Sequence, residues 1–273
     1  MNKYWSRVSF YRYKVWICLF YYGYILKTKL KIVLFCTENH EIICFLYEIL
    51  LYLHRVKTKN IKMTPFENIG NIPFDVNVLS AFFPNNKHIT EKARALEKSG
   101  QIIRLKKGMY VASKMETGKE LSKELIANHI YGPSYVGCEY ALRYYGLIPE
   151  RVYQVTSVTT KHSRDFENAV GRFSYQNCSP KYFAVGVRIE QADGVNFLIA
   201  TPEKALCDVI NYSKCLNLRF MKDVEIYLEE DIRFDTDALE SFDIELLEKC
   251  ALASRRQSSI NTLIKYIKHV RHL

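Results

Sequence analysis

Glycine and proline are scarce in this chain, 11 and 7 in 273 residues, so the places where they fall largely dictate where its elements stop. Three such places follow one another closely. Pro84, with Asn85-Asn86 behind it, ends a run in which Val78, Leu79, Phe82 and Phe83 stand at helical spacing and Asp75 is placed as an N-cap. Gly100 sits where a left-handed C-cap belongs after a second run, about His88–Ser99, whose Ile89, Ala93 and Leu96 form a buried stripe. Beyond Gly100 the period becomes that of a strand: residues 101–105 run into Lys106-Lys107-Gly108 and then Met109-Tyr110-Val111. Gly108 supplies the positive φ that a hairpin loop wants at its last position. The expectation is a helix, a tight turn, a second helix and a hairpin with two lysines at its tip.

Residues 1–62 read differently from the rest. They hold 14 aromatic residues, a single glycine (Gly23), no proline and no aspartate. Composition turns ordinary at Met63, which suggests that Met63 is the true start and that 1–62 translate upstream sequence. Val15–Leu26 and Ile42–Leu53 are apolar runs of 12 residues each, short of the roughly 20 that a spanning helix needs. An amphipathic interfacial anchor stays open as the alternative. Cys36, His40 and Cys44 invite a metal reading, yet on one helix Cys36 and Cys44 would lie about 12 Å apart along the axis. Zinc donors must all come within about 2.0–2.3 Å of one ion, so the stripe is read as accidental and no metal site is expected.

Charge follows the same division. The net charge of +10 is mostly carried by residues 1–62, with 11 Lys/Arg against 3 Glu, leaving 28 against 26 for residues 63–273. Inside that near-neutral remainder, Lys87–Lys107 holds seven Lys/Arg and two Glu, while residues 108–253 hold 16 basic and 22 acidic residues. A basic patch on an acidic body is an electrostatic footprint for nucleic acid. The element order gives it a mechanical reading. The second helix of a helix-turn-helix enters the major groove by its N-terminal end, and a hairpin wing meets phosphates. Asn86, Lys87, His88, Thr90, Glu91 and Arg94 would form the reading end of the helix, and Arg104, Lys106 and Lys107 would flank it on the wing. The bland alternative is a small helical hairpin with solvated faces. Only Thr64–Ile72 is left after Met63 for the further helix of a full winged helix.

After residue 112, a helix is expected over Lys119–Ile130 with Leu121, Leu125, Ile126 and His129 on one side, and another from about Gly137 to Tyr145 closed by Gly146-Leu147. Four strands follow: Tyr153–Thr160, Gly171–Gln176, Tyr182–Glu190 and Val195–Ala200, with Asp193-Gly194 as a hairpin turn. Thr201 then caps a helix that has Pro202 at its first position and Ala205, Leu206, Val209 and Ile210 facing inward. The tail reads as helices over Met221–Asp231, Leu239–Phe242, Ile244–Ala253 (capped by Asp243) and Gln257–His272, the last bearing Ile260, Leu263, Ile264, Ile267 and Val270 on one stripe. Ser254–Leu273 carries five Lys/Arg and no acid, either a docked helix or a surface for phosphates or a toxin.

The strings YGPSYVGCEYALRYYGLIPERVYQVTSVTT, GRFSY and FLIATPEKALCDVI, behind GQIIRLKKGMYV, resemble the AbiEi family of type IV antitoxins, predicted transcriptional regulators of bacterial abortive-infection and phage-defence operons. The resemblance covers roughly residues 64–270. It implies a winged helix over 64–112 that represses its own operon at promoter inverted repeats in double-stranded DNA. It also implies a C-terminal antitoxin domain over 113–273 that counters a nucleotidyltransferase-like toxin from a neighbouring gene, without a stable complex. No catalytic residues, small-molecule substrate or cofactor come with it, and a cytoplasmic location is expected. Residues 1–62 match nothing in the family pattern.

Three other readings are open to these residues. Cys138, Glu139, His129, His162, Asp165, Cys178, Cys207 and Asp208 are the candidates for an enzyme, but no phosphate-binding glycine loop, H-E-x-x-H or paired-carboxylate motif supports one. Cys207 reads as core and Asp208 as surface. No C-x-x-C occurs among the eight cysteines, so they read as reduced thiols. Tyr140, Tyr144, Tyr145 and Tyr153 read as core in preference to a stacking surface for bases. The remaining alternative is a protein-interaction module that binds the toxin directly, with the winged helix as scaffold. The fold class expected is α+β: a winged helix-turn-helix, then a mixed α/β domain with antiparallel strands and a C-terminal helical region.

Overall fold

The computed structural model describes Phe66, residues 69–214 and residues 216–272. The readings made for residues 1–62, the Cys36–His40–Cys44 stripe and the start at Met63 lie outside the described residues, as do Glu67 and Asn68. Within them the chain is mixed α+β, with one antiparallel sheet, one mixed sheet and a set of C-terminal helices.

The first sheet is built around the punctuation seen in the sequence. Strand β1 (Phe74–Asp75) leads directly into helix α1 (Val76–Phe82), whose N-cap Asp75 accepts the Val78 N–H at 3.0 Å. Helix α2 (Ile89–Lys98) ends at Gly100, whose φ of +75° is the expected left-handed position. Strands β2 (Ile102–Lys106) and β3 (Met109–Ala112) make the hairpin, and the sheet order is β1-β3-β2, all antiparallel. The strand β1 was not anticipated. Phe66, Phe74, Leu79, Ala93, Leu96, Ile102, Tyr110 and Ala112 form a small core between the helices and this sheet. Val78, expected on the apolar face of α1, is instead exposed.

The hairpin has a second buried face. Pairing of Ile103 with Val111 and of Ile102 with Ala112 puts alternate residues on opposite sides. Leu105 and Val111 belong to the larger core of the molecule, while Ile102 and Ala112 belong to the smaller one.

The larger core is organised by a six-stranded mixed sheet of order β6-β7-β5-β4-β9-β8. Its strands are β4 (Ser134–Val136), β5 (Gln154–Thr159), β6 (Arg164–Asn168), β7 (Gly171–Asn177), β8 (Val187–Ala192) and β9 (Val195–Ala200). Expectation had only antiparallel strands, but β5/β7 and β4/β9 pair parallel. Two strands were missed: β4, three fully buried residues too short to show a period, and β6, a charged edge strand with no apolar alternation to mark it. The strand expected over Tyr182–Glu190 is corrected at its start. Ser179 caps helix α6 (Pro180–Phe183) through the Tyr182 N–H, and extended chain resumes only at Val187. Asp193-Gly194 is the two-residue turn between β8 and β9, both residues at positive φ.

Helices pack on this sheet and on each other. In chain order α3 (Lys114–Thr117), α4 (Lys123–Ile130) and α5 (Cys138–Tyr144) precede α6, and α7 (Pro202–Tyr212) follows β9. Helix α4 is shorter than expected because Ser122, not a residue before Lys119, caps it, and His129 is exposed. Helix α5 ends as its glycine foretold, with Leu147 N–H donating to the Leu142 carbonyl at 2.9 Å. Thr201 Oγ1 caps α7 at Lys204 N–H. The tail is α8 (Met221–Ile226) running into a wide turn over Tyr227–Asp231, a tight helical turn over Thr236–Ser241, then α9 (Ile244–Ala253) and α10 (Gln257–Val270). Ile260, Leu263, Ile264 and Ile267 of α10 are buried, whereas Val270 is exposed. No helix among the described residues is long and apolar enough to cross a membrane.

Candidate nucleic-acid interface

Ile89, Ala93 and Leu96 fix the rotation of α2 by facing the small core, and helical geometry then turns positions 90, 91 and 94 away from it. Asn86, Lys87, His88, Thr90, Glu91 and Arg94 are all exposed. The turn before the helix is closed locally: Asn86 N–H donates to the Phe83 carbonyl at 3.0 Å, and Asn86 Oδ1 accepts the His88 N–H at 2.9 Å. That leaves the Asn86 amide NH2 pointing outward with both donors free of partners among the described residues. Lys92 covers the Phe83 ring at 4.8 Å. Residues Phe82 to His88 line a shallow open groove at this corner.

The hairpin departs from expectation at its tip. A bulge at Leu105 shifts the register, so that Arg104 pairs with Tyr110 and Lys106 with Met109. The chain turns over Lys107-Gly108, with Gly108 at φ +78°. Lys107 is exposed at the tip, but Lys106 is not its twin. The Lys106 ammonium is partly buried and donates to the carbonyl of Ile130 at the end of α4, and the Leu105 carbonyl accepts from Asn168 Nδ2 at 3.1 Å. Arg104 is also engaged, in an ion pair with Glu97 at 3.0 Å and over the Tyr110 ring. Of the three wing cations, Lys107 alone is without a partner among the described residues.

Two cations that the sequence did not single out join Lys106. The Lys161 ammonium donates to the Gly132 carbonyl and lies 5.3 Å from the Tyr131 ring centroid. The Arg164 guanidinium stacks 5.0 Å over Phe166, which itself packs 5.7 Å from Tyr131. Burial lowers the Lys106 ammonium below its ordinary pKa, and the positive charges of Lys161 and Arg164 lower it further. None of the three forms an ion pair among the described residues. Three unneutralised cations with spare N–H donors can take an anionic oxygen ligand such as a phosphodiester. The sequence signal was the run Lys161-His162-Ser163-Arg164. Its meaning depends on β6 lying beside β2, which no local pattern reveals.

The other candidates fall elsewhere. Tyr140 donates to Glu124 at 2.6 Å and Tyr145 to the Ala200 carbonyl at 2.9 Å, both as packed residues. Tyr144 and Tyr153 are exposed, so the expectation of a tyrosine core holds for only half of that set. On α10 and its approach, Arg255 donates to Asn177, Arg256 to the Ser213 carbonyl, Arg271 to the Leu239 and Phe242 carbonyls, and Lys268 pairs with Glu248. Four of those five basic residues thus hold the helix on the body.

Cys138, Cys178 and Cys207 are buried thiols; burial raises Cys138 well above its ordinary pKa and Cys178 to about 11. His162, Asp165 and Glu139 are exposed and no cysteine–histidine hydrogen bond joins the set among the described residues. No group of three His, Cys, Asp or Glu among the described residues is placed to hold a metal.

Asp208 is the clear correction. Expected on the surface, it is fully buried with Lys204, one turn earlier on α7. Its Oδ1 accepts from Tyr182 OH at 2.8 Å and Tyr135 OH at 3.2 Å, and lies 3.8 Å from Lys204 Nζ, which donates to the Tyr182 carbonyl at 2.8 Å. Burial pushes the Asp208 carboxyl up to about 6, against the opposing pull of Lys204 and the two tyrosines.

No family model matches the chain, and no curated protein matches it.

Proposed function

We propose that this chain is a DNA-binding transcriptional repressor of the AbiEi antitoxin kind. Helix α2 with its preceding turn acts as the recognition helix of a winged helix-turn-helix, and the β2–β3 hairpin acts as the wing. The observation that carries the reading is that the N-terminal end of α2, from Asn86 to Arg94, keeps its polar and basic side chains out of the core. Base edges are read from that position. Lys107, Lys161 and Arg164 supply phosphate contacts, which add affinity without sequence information. The body of the protein, residues 113–273, serves the antitoxin role toward a nucleotidyltransferase-like toxin.

A binding titration tests this. Duplex DNA from the chain's own upstream region should bind at least about a thousandfold tighter than a scrambled duplex. Arg94→Ala should erase most of that preference. Lys107→Gln should weaken both duplexes alike and reduce the slope of log affinity against log salt by about 0.9. Equal affinity of the wild-type protein for both duplexes overturns the reading, and co-purification of a stable complex with the neighbouring gene product would favour direct toxin binding instead.

A further inference from the structure

The six-stranded sheet has two edges, and they are treated differently. At one edge, β6 lies against the hairpin, where Asn168 donates to the Leu105 carbonyl. At the other edge is β8, and among the described residues no strand pairs with its outer side. Edge strands are commonly blunted by proline, a bulge, an inward charge or a very short length, because their free N–H and C=O groups template pairing. Val187–Ala192 has no proline, no bulge and no shortness to blunt it; its charges, Arg188 and Glu190, stand opposite the buried Ile199 and Phe197 of β9 but keep partly exposed side chains. It holds six residues without proline or glycine, and its register with β9 is unbroken from Val187↔Ala200 to Ala192↔Val195.

Side chains on this strand carry a pattern that complements itself. Arg188 and Glu190 share one face, paired at 2.7 Å, with Arg188 also stacked 4.9 Å from the Tyr145 ring centroid. Ile189 points to the other face and is 71% exposed. Antiparallel pairing of two such strands through a twofold axis at Ile189 brings Arg188 opposite the partner subunit's Glu190 and Glu190 opposite the partner subunit's Arg188. Ile189 meets its own counterpart. Registers centred one residue to either side would oppose like charges, Arg188 to Arg188 or Glu190 to Glu190, which is unfavourable. The charge order therefore selects one register and one partner.

We propose that the outer edge of β8 is a self-association surface on which a second copy of this chain adds its own β8, antiparallel about Ile189. The interface is isologous. A lone strand pair buries less than the roughly 1,200 Å² of a standard stable interface, so the dimer is weak, with a midpoint in the micromolar range. This inference goes beyond the DNA reading and is tested without DNA.

Sedimentation equilibrium of the full chain at about 0.1 M salt, where charge pairs are only partly screened, is the measurement. Wild type should dimerise as concentration rises through the micromolar range. Arg188→Glu replaces two attractive cross-strand pairs by two repulsive ones and should weaken the dimer at least about tenfold. The double variant Arg188→Glu with Glu190→Arg restores opposite charges in the same register and should recover wild-type association to within about threefold. Arg188 is exposed and Glu190 partly exposed, so circular dichroism of each variant, expected unchanged, separates lost association from lost fold. The proposal is overturned by a wild type that stays monomeric, by Arg188→Glu that associates normally, or by a double variant as weak as the single.

Discussion

The two hydrophobic cores of this protein handle charge in opposite ways. The small core under α1, α2 and the first sheet contains eight buried apolar residues and no ionisable group except the Tyr110 phenol. Its region leaves every lysine and arginine at or near the surface, including the Arg104–Glu97 pair. The larger core instead encloses the Lys204–Asp208 pair, both 0% exposed, inside a cage of Tyr135, Tyr182 and the Tyr182 carbonyl. An exposed charge is available to a ligand and costs little. A buried pair is unavailable to any ligand, and its attraction must first offset the desolvation of both ions. The contrast is that the head keeps its charges within reach of solvent, while the body locks one pair into a fixed internal geometry.

Removing one partner from each pair should make the contrast measurable. Asp208→Ala leaves the Lys204 ammonium unneutralised and two tyrosine hydroxyls without an acceptor, and should lower stability by about 3–5 kcal/mol in urea unfolding. A loss under about 1 kcal/mol would mean that water reaches Lys204 and that the burial described here is wrong.

The next effect in size is set by pH. Asp208 is held at about 6 in the fold against an ordinary 3.8, so the folded protein binds a proton that the unfolded chain does not between those values. Its contribution to stability is present at low pH and lost as pH rises through 6. From this group alone, the fold should be roughly 1 kcal/mol more stable near pH 5 than near pH 7. The increment should vanish in Asp208→Asn, and its persistence there would assign it to another group.

Smallest of all is the surface pair. Glu97→Ala should change stability by less than about 0.5 kcal/mol, since exposed ion pairs contribute little. A loss of several kcal/mol would erase the distinction between the two regions.

Much of the secondary structure was legible because single residues dictate it. Thr201-Pro202 starts α7, Asp193-Gly194 turns β8 into β9, Asp243 caps α9, and Gly146 closes α5. Each is a local rule about dihedral angles or an unpaired N–H. Readings failed where the cause is distant. Asp208 lies in a helix stretch buried on all sides from Lys204 to Ile210, and a charged residue there looks exposed until its partner's placement is known. Helix α6 shows a different failure: Ser179-Pro180 is a start signal that the apolar run over 182–190 obscured. At the candidate interface, the exposed end of α2 followed from helical periodicity. The fate of Lys106 did not, because it depends on a carbonyl 24 residues away in sequence.

The hairpin that links the two cores has a practical consequence. Leu105 and Val111 are covered by the body while Ile102 and Ala112 are covered by the head, so a cut between residues 112 and 113 would pass through a shared wall. An excised head would expose two large aliphatic side chains to water and strand the Lys106 ammonium and the Leu105 carbonyl without the groups that now satisfy them. Deletion fragments split at that point should aggregate, and would misrepresent what either half does within the intact chain.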